Sequence, residues 1–280
     1  MTGRVVFGVD FTSAPRRDKP ITVACGRLVH HGGRPVYAVS EVRELTDFAA
    51  FDTFLATPGP WLGGFDLPFS QPRTLITHEG WPTDWPAFVR FYCRQPREEL
   101  RATFRRWCAG RPIGDKFAWR AADKTAGSSP AMRWTNPPVA WMMHAGIGRM
   151  LDAGLRFPAH RHPPRSAARD RVAVEAYPAF TARRGCRGSY KSDDRRRQTA
   201  ERRRARETIV AALVAGGVGL DVRLRIPPPW VRRLVADGAG DLLDAVICGL
   251  QAAHAATRPR YGFPTDVDPL EGWIATVPRA

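Results

Sequence analysis

The chain has 280 residues, of which 44% are hydrophobic and 25% charged, a composition typical of a globular protein large enough to bury a core. No apolar run approaches the ~18 residues of a transmembrane helix, and residues 1–6 lack the apolar core of a signal peptide, so we expect a cytoplasmic protein with no membrane partner. Five cysteines without Cys-x-x-Cys spacing are expected to be reduced thiols.

The formal net charge of +16 is concentrated in two segments. Residues 67–170 carry a balance of +9 and residues 183–207 a balance of +7, so the rest of the chain is neutral. Basic side chains concentrated in this way are typical of a surface that faces a polyanion. The alternative is a solvated helix face in a composition biased toward arginine, which supplies 39 of the 43 basic residues.

The first 66 residues predict three strands, a helix and a fourth strand. The loop His31-Gly32-Gly33 is a hairpin signal, and Thr46 is the predicted N-cap of the helix that carries Phe48, Phe51 and Phe54 on one side. Three strands joined in sequence and followed by a helical crossover to a fourth strand indicate a mixed sheet. The predicted strands cover residues 4–10, 20–26, 35–40 and 61–66.

From residue 67 to 170 the pattern changes to a Pro-rich and Arg-rich segment that holds six of the nine tryptophans. Residues 171–177 then resume the sheet as a fifth strand. A long helix is predicted from the cap Ser192-Asp193-Asp194 to about residue 215, and a final helix over 241–256. We therefore expect one α/β domain over 1–280, with 67–170 inserted between the fourth and fifth strands.

Three apolar runs each end in a carboxylate, at Asp10, Asp66 and Glu175. Ligands of open α/β sheets gather beyond the carboxyl ends of the strands, so these acids are expected to share a crevice. Asp241 and Asp244 lie three residues apart and so share one face of the first turn of the final helix. The alternatives are that the strand-terminal aspartates form turns and that Asp241 is only an N-cap.

Clustered carboxylates repel one another unless a cation joins them. Oxygen ligands suit Mg²⁺ or Mn²⁺, and two such ions can activate water and stabilise the leaving oxygen in phosphodiester hydrolysis. Lys191, in Ser189-Tyr190-Lys191, is a candidate phosphate-binding residue, or else part of the turn before a helix. His160-Arg161-His162 is interpreted as a surface stretch rather than a metal site.

Several fragments, in this order, resemble the family catalogued as domain of unknown function 429, whose members have a predicted ribonuclease H-like fold. They are Gly-Val-Asp-Phe-Thr-Ser-Ala-Pro (8–15), Gly-Gly-Phe-Asp-Leu-Pro-Phe (63–69), Val-Glu-Ala-Tyr-Pro (174–178), Ser-Tyr-Lys-Ser (189–192), Gly-Asp-Leu-Leu-Asp-Ala-Val-Ile-Cys (240–248) and Asp-Pro-Leu-Glu-Gly-Trp-Ile (268–274). The resemblance implies an α/β, ribonuclease H-like, mixed five-stranded sheet of order 3-2-1-4-5, flanked by helices.

The pair Asp241 and Asp244 is similar to the helix-borne pair of RuvC-type junction resolvases. That likeness implies Asp10, Asp66 and Asp244 as metal ligands, with Asp241 or Glu175 completing the site. The resulting hypothesis is a Mg²⁺-dependent nuclease for structured or branched DNA or RNA, in which Lys191, Arg195, Arg196 and Arg197 seat the phosphate backbone. The alternatives are a non-catalytic nucleic-acid-binding protein and an ATP-dependent phosphotransferase of the actin and sugar-kinase superfold.

Overall fold

The computed structural model describes residues 3–162 and 170–279; the stretch 163–169 of the predicted insertion lies outside the described residues. In the described part of the chain, six strands form one mixed sheet of order β5-β4-β1-β2-β3-β6. The first three strands pair antiparallel, and β4, β5 and β6 join them in parallel. The strands are β1 (Arg4–Asp10), β2 (Ile21–His31), β3 (Arg34–Leu45), β4 (Trp61–Asp66), β5 (Arg171–Glu175) and β6 (Arg223–Arg225).

The sheet therefore has six strands where the sequence predicted five. β6 pairs with the outer edge of β3. Only Leu224 of its three residues is buried, between two exposed arginines. Three residues with a single apolar position are too short for a recognisable period-two pattern, which is why this strand was missed.

Helices cover both faces of the sheet, and none in the described part of the chain has the length and apolar character needed to cross a membrane. All five cysteines are free, as expected. The helices are α1 (Phe48–Leu55), α2 (Arg73–His78), α3 (Trp85–Arg94), α4 (Arg97–Ala109), α5 (Ala121–Ala126), α6 (Val139–Asp152), α7 (Pro178–Gly185), α8 (Ala200–Ala215), α9 (Pro228–Ala236) and α10 (Asp241–Ala256), with 3₁₀ turns at Pro158–His160, Arg195–Arg197 and Pro259–Gly262.

Two predicted helix starts were wrong. Asp47, not Thr46, caps α1, because its carboxylate accepts a hydrogen bond of 2.8 Å from the amide of Ala50. The acidic residues before α8 do not cap it either: Asp194 caps the short 3₁₀ turn, and Thr199 caps α8 itself. Local side-chain-to-backbone hydrogen bonds of this kind compete with one another, and the sequence offered several candidates in each case.

The sheet separates two hydrophobic cores. Helices α7 to α10 pack against one face. Helices α1, α2, α3, α4 and α6 pack against the other, and most of these belong to the insertion. Trp85, Trp107 and Trp141 are buried in this second core, as expected for side chains of such large apolar area.

Helix α10 lies unusually close to β1 and β4. A Cβ atom on Gly8 would lie 2.0 Å from the carbonyl oxygen of Ala245, and one on Gly64 would lie 2.3 Å from that of Cys248. No side chain larger than hydrogen fits at either position, so the two glycines allow the helix to approach the sheet. This approach fixes the first turn of α10 beside the ends of β1 and β4.

Candidate functional site

Asp10 and Asp66 occupy matching positions at the ends of adjacent parallel strands. Neighbouring strands are about 4.8 Å apart, so the two backbones bring the carboxylates side by side. Because side chains alternate along a strand, Asp10 shares a face with Gly8, and Asp66 shares a face with Gly64. Both acids therefore lie on the face of the sheet that α10 covers.

The first turn of α10 adds two more buried acids, Asp241 and Asp244; Asp244 is fully buried. The alternative that Asp241 serves as the N-cap does not hold. Gly240 occupies the cap position, and the Asp237 carboxylate accepts a hydrogen bond of 2.9 Å from the amide of Leu242. The positive end of the helix dipole favours negative charge at this turn.

The charges of these acids act on one another. Burial raises the pKa of Asp10 well above its usual value, and the negative charges of Asp241 and Asp244 raise it further. Burial likewise raises the pKa of Asp66 to about 7, against the opposing charge of Lys191. The pKa of Asp241 is raised by burial, with Lys19 opposing the rise. The four acids therefore form one electrostatic unit, although Asp10 and Asp241 are 231 positions apart in the sequence.

Two lysines lie inside this unit. Lys191 donates a hydrogen bond to the Asp244 carboxylate, which also accepts one of 2.5 Å from the hydroxyl of Tyr190. Lys19, in the loop after β1, donates hydrogen bonds of 2.9 Å to Asp241 and 2.8 Å to Asp193. Burial disfavours the charge of each ammonium group, but the neighbouring carboxylates outweigh it and raise the pKa of both lysines.

Sequence reasoning missed Lys19 and placed Lys191 in a different environment. Lys191 was grouped with the arginines that follow it, whereas its ammonium group contacts the acids of the site. Gly240 has a positive φ of 81°, and a Cβ there would lie 2.7 Å from the Cβ of Lys191. The absence of a side chain at Gly240 lets Lys191 pack against the start of α10. A glycine immediately before the acidic helix is therefore the sequence signal that could have placed Lys191 at the site.

Asp10 and Asp66 differ from the two helix-borne acids. Among the described residues, neither accepts a side-chain hydrogen bond or forms a salt bridge, although their carboxylates are held close to further negative charge. Paired oxygen donors that no side chain binds directly fit a hard divalent cation such as Mg²⁺ or Mn²⁺. Over residues 3–162 and 170–279 no three His, Cys, Asp or Glu side chains form a ready metal-binding group; Asp241 and Asp244 are engaged by the lysines instead.

Glu175 lines the same cavity, and its charge adds to the rise in the pKa of Asp66, but its carboxylate is held apart from the other acids. Its register partner on β4 is Phe65, so its side chain lies on the face of the sheet opposite to that of Asp66. There it accepts hydrogen bonds of 2.5 and 2.8 Å from Arg120, which also binds Asp123, and one of 3.0 Å from the amide of Phe69. Arg120 belongs to the insertion, so Glu175 connects the insertion to the sheet.

A cavity of about 520 Å³ opens at this end of the sheet. Its lining includes Asp10, Asp66 and Asp241, together with Lys19 and Lys191. The opposite side is built by insertion residues. Asp10, Asp66 and Asp241 are thus accessible from a walled cavity, whereas Asp244 is fully buried behind them.

The predicted basic surface lies apart from the acids. Arg195, Arg196 and Arg197 form an exposed 3₁₀ turn before α8. A second cavity, of about 690 Å³, is lined by Arg196 and Arg197 together with Arg202 and Arg204 of α8. Glu201 also lines this cavity and pairs with Arg204 at 3.7 Å. The guanidinium groups outnumber this one carboxylate and suit phosphate oxygens.

The interpretation of residues 160–162 as a surface stretch was wrong for His160. Its ring is buried and stacks on Trp85 with the ring centres 4.1 Å apart, and Nδ1 contacts the carbonyl oxygen of Pro269 at 2.9 Å. Burial lowers the pKa of His160 to about 3. The neutral ring is thus part of the core that anchors the end of the insertion.

Comparisons of the chain with protein-family models, with curated proteins and with solved structures give no match. The resemblance seen in the sequence fragments therefore stays a prediction. Because one fold can host many activities, the function has to be inferred from the side chains of the site.

Proposed function

We propose that the protein is a divalent-metal-dependent nuclease that hydrolyses phosphodiester bonds in structured or branched nucleic acid. The observation that carries this proposal is the pair Asp10 and Asp66, two adjacent carboxylates without a direct cationic partner among the described residues. Removing two like charges from water beside each other costs free energy. A bound cation would offset that cost.

Asp10 and Asp66 would hold the ion, and Asp244 would join them when the ammonium group of Lys191 leaves its carboxylate. Mg²⁺ or Mn²⁺ bound there would supply an activated water and stabilise the leaving oxygen. Once released from Asp244 and Asp241, Lys191 and Lys19 would bind the phosphate oxygens of the substrate. The cavity lined by Arg196, Arg197, Arg202 and Arg204 would hold the phosphate backbone farther from the cut.

The sheet also supports the proposal that the fold is of the ribonuclease H-like class. Strands β3, β2, β1, β4 and β5 are consecutive in the sheet, and β6 extends its edge beyond β3. This arrangement places the ends of β1 and β4 next to each other, as a carboxylate site of that class requires. Glu175 would then stabilise the insertion, and Asp241 would adjoin the metal site.

A non-catalytic nucleic-acid-binding protein is the second candidate. It is favoured by the ammonium groups that neutralise Asp241 and Asp244, since acids paired in this way can be purely structural. Such a protein would bind nucleic acid in a salt-sensitive manner without turnover.

A cleavage assay separates the two candidates. End-labelled single strands, duplexes, flaps and four-way junctions of DNA and RNA would be incubated with the wild-type protein and Mg²⁺, Mn²⁺ or Ca²⁺. We expect cleavage with Mg²⁺ or Mn²⁺, loss of cleavage in Asp10→Asn, and wild-type activity in Asp115→Asn, whose side chain is exposed and lies outside the acidic cavity. Binding without turnover under every ion would favour the second candidate, and wild-type cleavage by Asp10→Asn would contradict the assignment of the site.

A further inference from the structure

We infer that the site receives one unpaired nucleotide at a time, either at a strand end or turned out of a helix, and excludes continuous duplex. This inference rests on the proposed nuclease function and specifies the substrate of that same site. It follows from the walls of the cavity that contains Asp10 and Asp66.

Several parts of the chain enclose the cavity, and Lys19, residues 191–193 and Asp241 line it beside the acids. The ends of β1 and β4 form its acidic floor, and residues 176–179 form one side. The insertion forms the side opposite the acids, through Ser128 and Ser129 after α5, through residues 136–139, and through Met142 in α6. A phosphodiester that reaches Asp10 must therefore enter between the sheet and the insertion.

The insertion wall is fixed to the sheet. Arg120, one residue before α5, is buried and bound to Glu175 of β5 and to Asp123 of its own helix. The amide of Ala121 donates a hydrogen bond of 3.3 Å to the Glu271 carboxylate near the end of the chain. Charge-assisted hydrogen bonds at buried positions are strong, so they hold the start of α5 against the sheet. The hydroxyl of Ser128 in the wall donates a hydrogen bond of 3.1 Å to Asp123 of this anchored turn.

The size of the cavity suits one nucleotide. Pockets that bind drug-sized ligands have volumes of roughly 300–1,000 Å³, and the cavity of about 520 Å³ falls in this range. A stacked duplex cannot enter such a space. Enzymes with enclosed sites therefore act on single strands or turn the target nucleotide out of the stack.

The chemistry of the wall also suits a nucleotide. Asn136 is exposed at the rim, and its amide can donate and accept hydrogen bonds at the edge of a base. The hydroxyl of Ser129, which is half-buried, offers the same capacity. Met142 and Pro138 add apolar surface for the face of a base. The lysines and acids that would act on the phosphate thus lie across the cavity from the insertion residues that would contact the base.

The test combines binding and cleavage. Calorimetry with Ca²⁺ would measure the binding of nucleoside 5′-monophosphates, and the cleavage assay would compare an unpaired flap with a blunt duplex of the same sequence. Ser129→Trp would fill the cavity, and Asn136→Trp would narrow its rim at an exposed position that tolerates a large side chain. Ile113→Trp, at a residue that is 94% exposed and outside the cavity, is the matched control.

We expect the wild-type protein to cut the flap at least about tenfold faster than the duplex, and both cavity variants to weaken monophosphate binding by about tenfold or more while Ile113→Trp leaves it unchanged. Equal cleavage of duplex and flap, or unchanged binding in both cavity variants, would overturn the inference and leave the nuclease assignment standing. Monophosphate binding that the cavity variants abolish, in a protein that cuts no substrate, would support the nucleotide cavity and overturn the nuclease assignment.

Discussion

Arg120 donates hydrogen bonds of 2.5 and 2.8 Å to the two carboxylate oxygens of Glu175, and both side chains are buried. Burial raises the pKa of Glu175, and the charge of Arg120 opposes that rise. The pair joins the insertion to the end of β5 next to the acidic cavity. Each residue of the pair compensates the charge of the other, and removing one would leave the other as an uncompensated buried charge.

Replacing Arg120 should therefore destabilise the protein strongly. Arg120→Met leaves Glu175 and Asp123 buried without their cation, and we expect a loss of about 3–5 kcal/mol in the free energy of unfolding, measured by urea denaturation. Arg203→Met, which breaks an exposed pair with Glu207 on α8, should cost less than about 1 kcal/mol. The double variant Arg120→Met/Glu175→Gln should recover part of the loss. Similar losses in Arg120→Met and Arg203→Met would show that the buried pair has no special role.

The close contact between α10 and the sheet gives a second prediction. In Gly64→Ala the new methyl group would meet the Cys248 carbonyl, so we expect a destabilisation of at least about 1–3 kcal/mol, the usual cost of overpacking. Gly110→Ala is the control, because a Cβ there meets nothing within 4 Å and φ is −82°. Thermal unfolding would compare the two variants. Equal melting temperatures would mean that α10 can move away from the sheet.

The buried His160 predicts a pH dependence of stability. Its pKa is about 3 in the folded protein and about 6.5 in the unfolded chain, so between these values the unfolded chain binds one more proton at this residue. The contribution of His160 to stability is therefore fully present above pH ~6.5 and is lost as the pH falls, by at most about 1.4 kcal/mol per pH unit.

The variant His160→Phe keeps a ring on Trp85 but cannot bind a proton. Urea denaturation between pH 6.5 and pH 4 should show a shallower fall in its stability than in the wild type. His30→Phe, at an exposed position in β2, should keep the wild-type slope. Parallel curves for His160→Phe and the wild type would contradict the assignment of a buried neutral imidazole.

The arginine cavity predicts salt-dependent binding. Arg196→Ala and Arg197→Ala should each weaken nucleic-acid binding for all sequences and reduce the slope of log K against log[salt] by about 1, because each removes one phosphate contact. Fluorescence anisotropy with a labelled flap would measure both quantities. Arg34→Ala, in the hairpin at the other end of β1, is the control and should leave the slope unchanged. Unaltered slopes in both Arg196→Ala and Arg197→Ala would mean that the phosphate backbone of the nucleic acid does not bind at the arginine cavity.

Much of the sheet could be predicted from the sequence because its signals are local. The apolar runs that end at Asp10 and Asp66 define β1 and β4, and Gly240 marks the start of α10. A carboxylate at the end of a buried strand is visible in sequence for the same reason. The meeting of Asp10, Asp66 and the α10 acids then follows from the topology of an α/β sheet.

The cationic partners could not be predicted, because they depend on contacts between distant segments. Lys19 reaches Asp241 across 222 positions in the chain, and no local pattern marks it. Glu175 was grouped with the aspartates because it also ends a strand. Its register is offset by one from that of Asp66, and a shift of one residue moves a side chain to the other face of a sheet.

The central claim, that Asp10 and Asp66 hold a divalent ion, is tested most directly by calorimetric titration of the purified protein with Mn²⁺. The wild type and Asp115→Asn should bind the ion, more tightly at pH 8 than at pH 6, because the pKa of Asp66 is about 7 and the ion displaces its proton. Asp66→Asn should show no detectable binding while its far-ultraviolet circular dichroism stays that of the wild type. Binding of Mn²⁺ by Asp66→Asn with wild-type affinity would contradict the account.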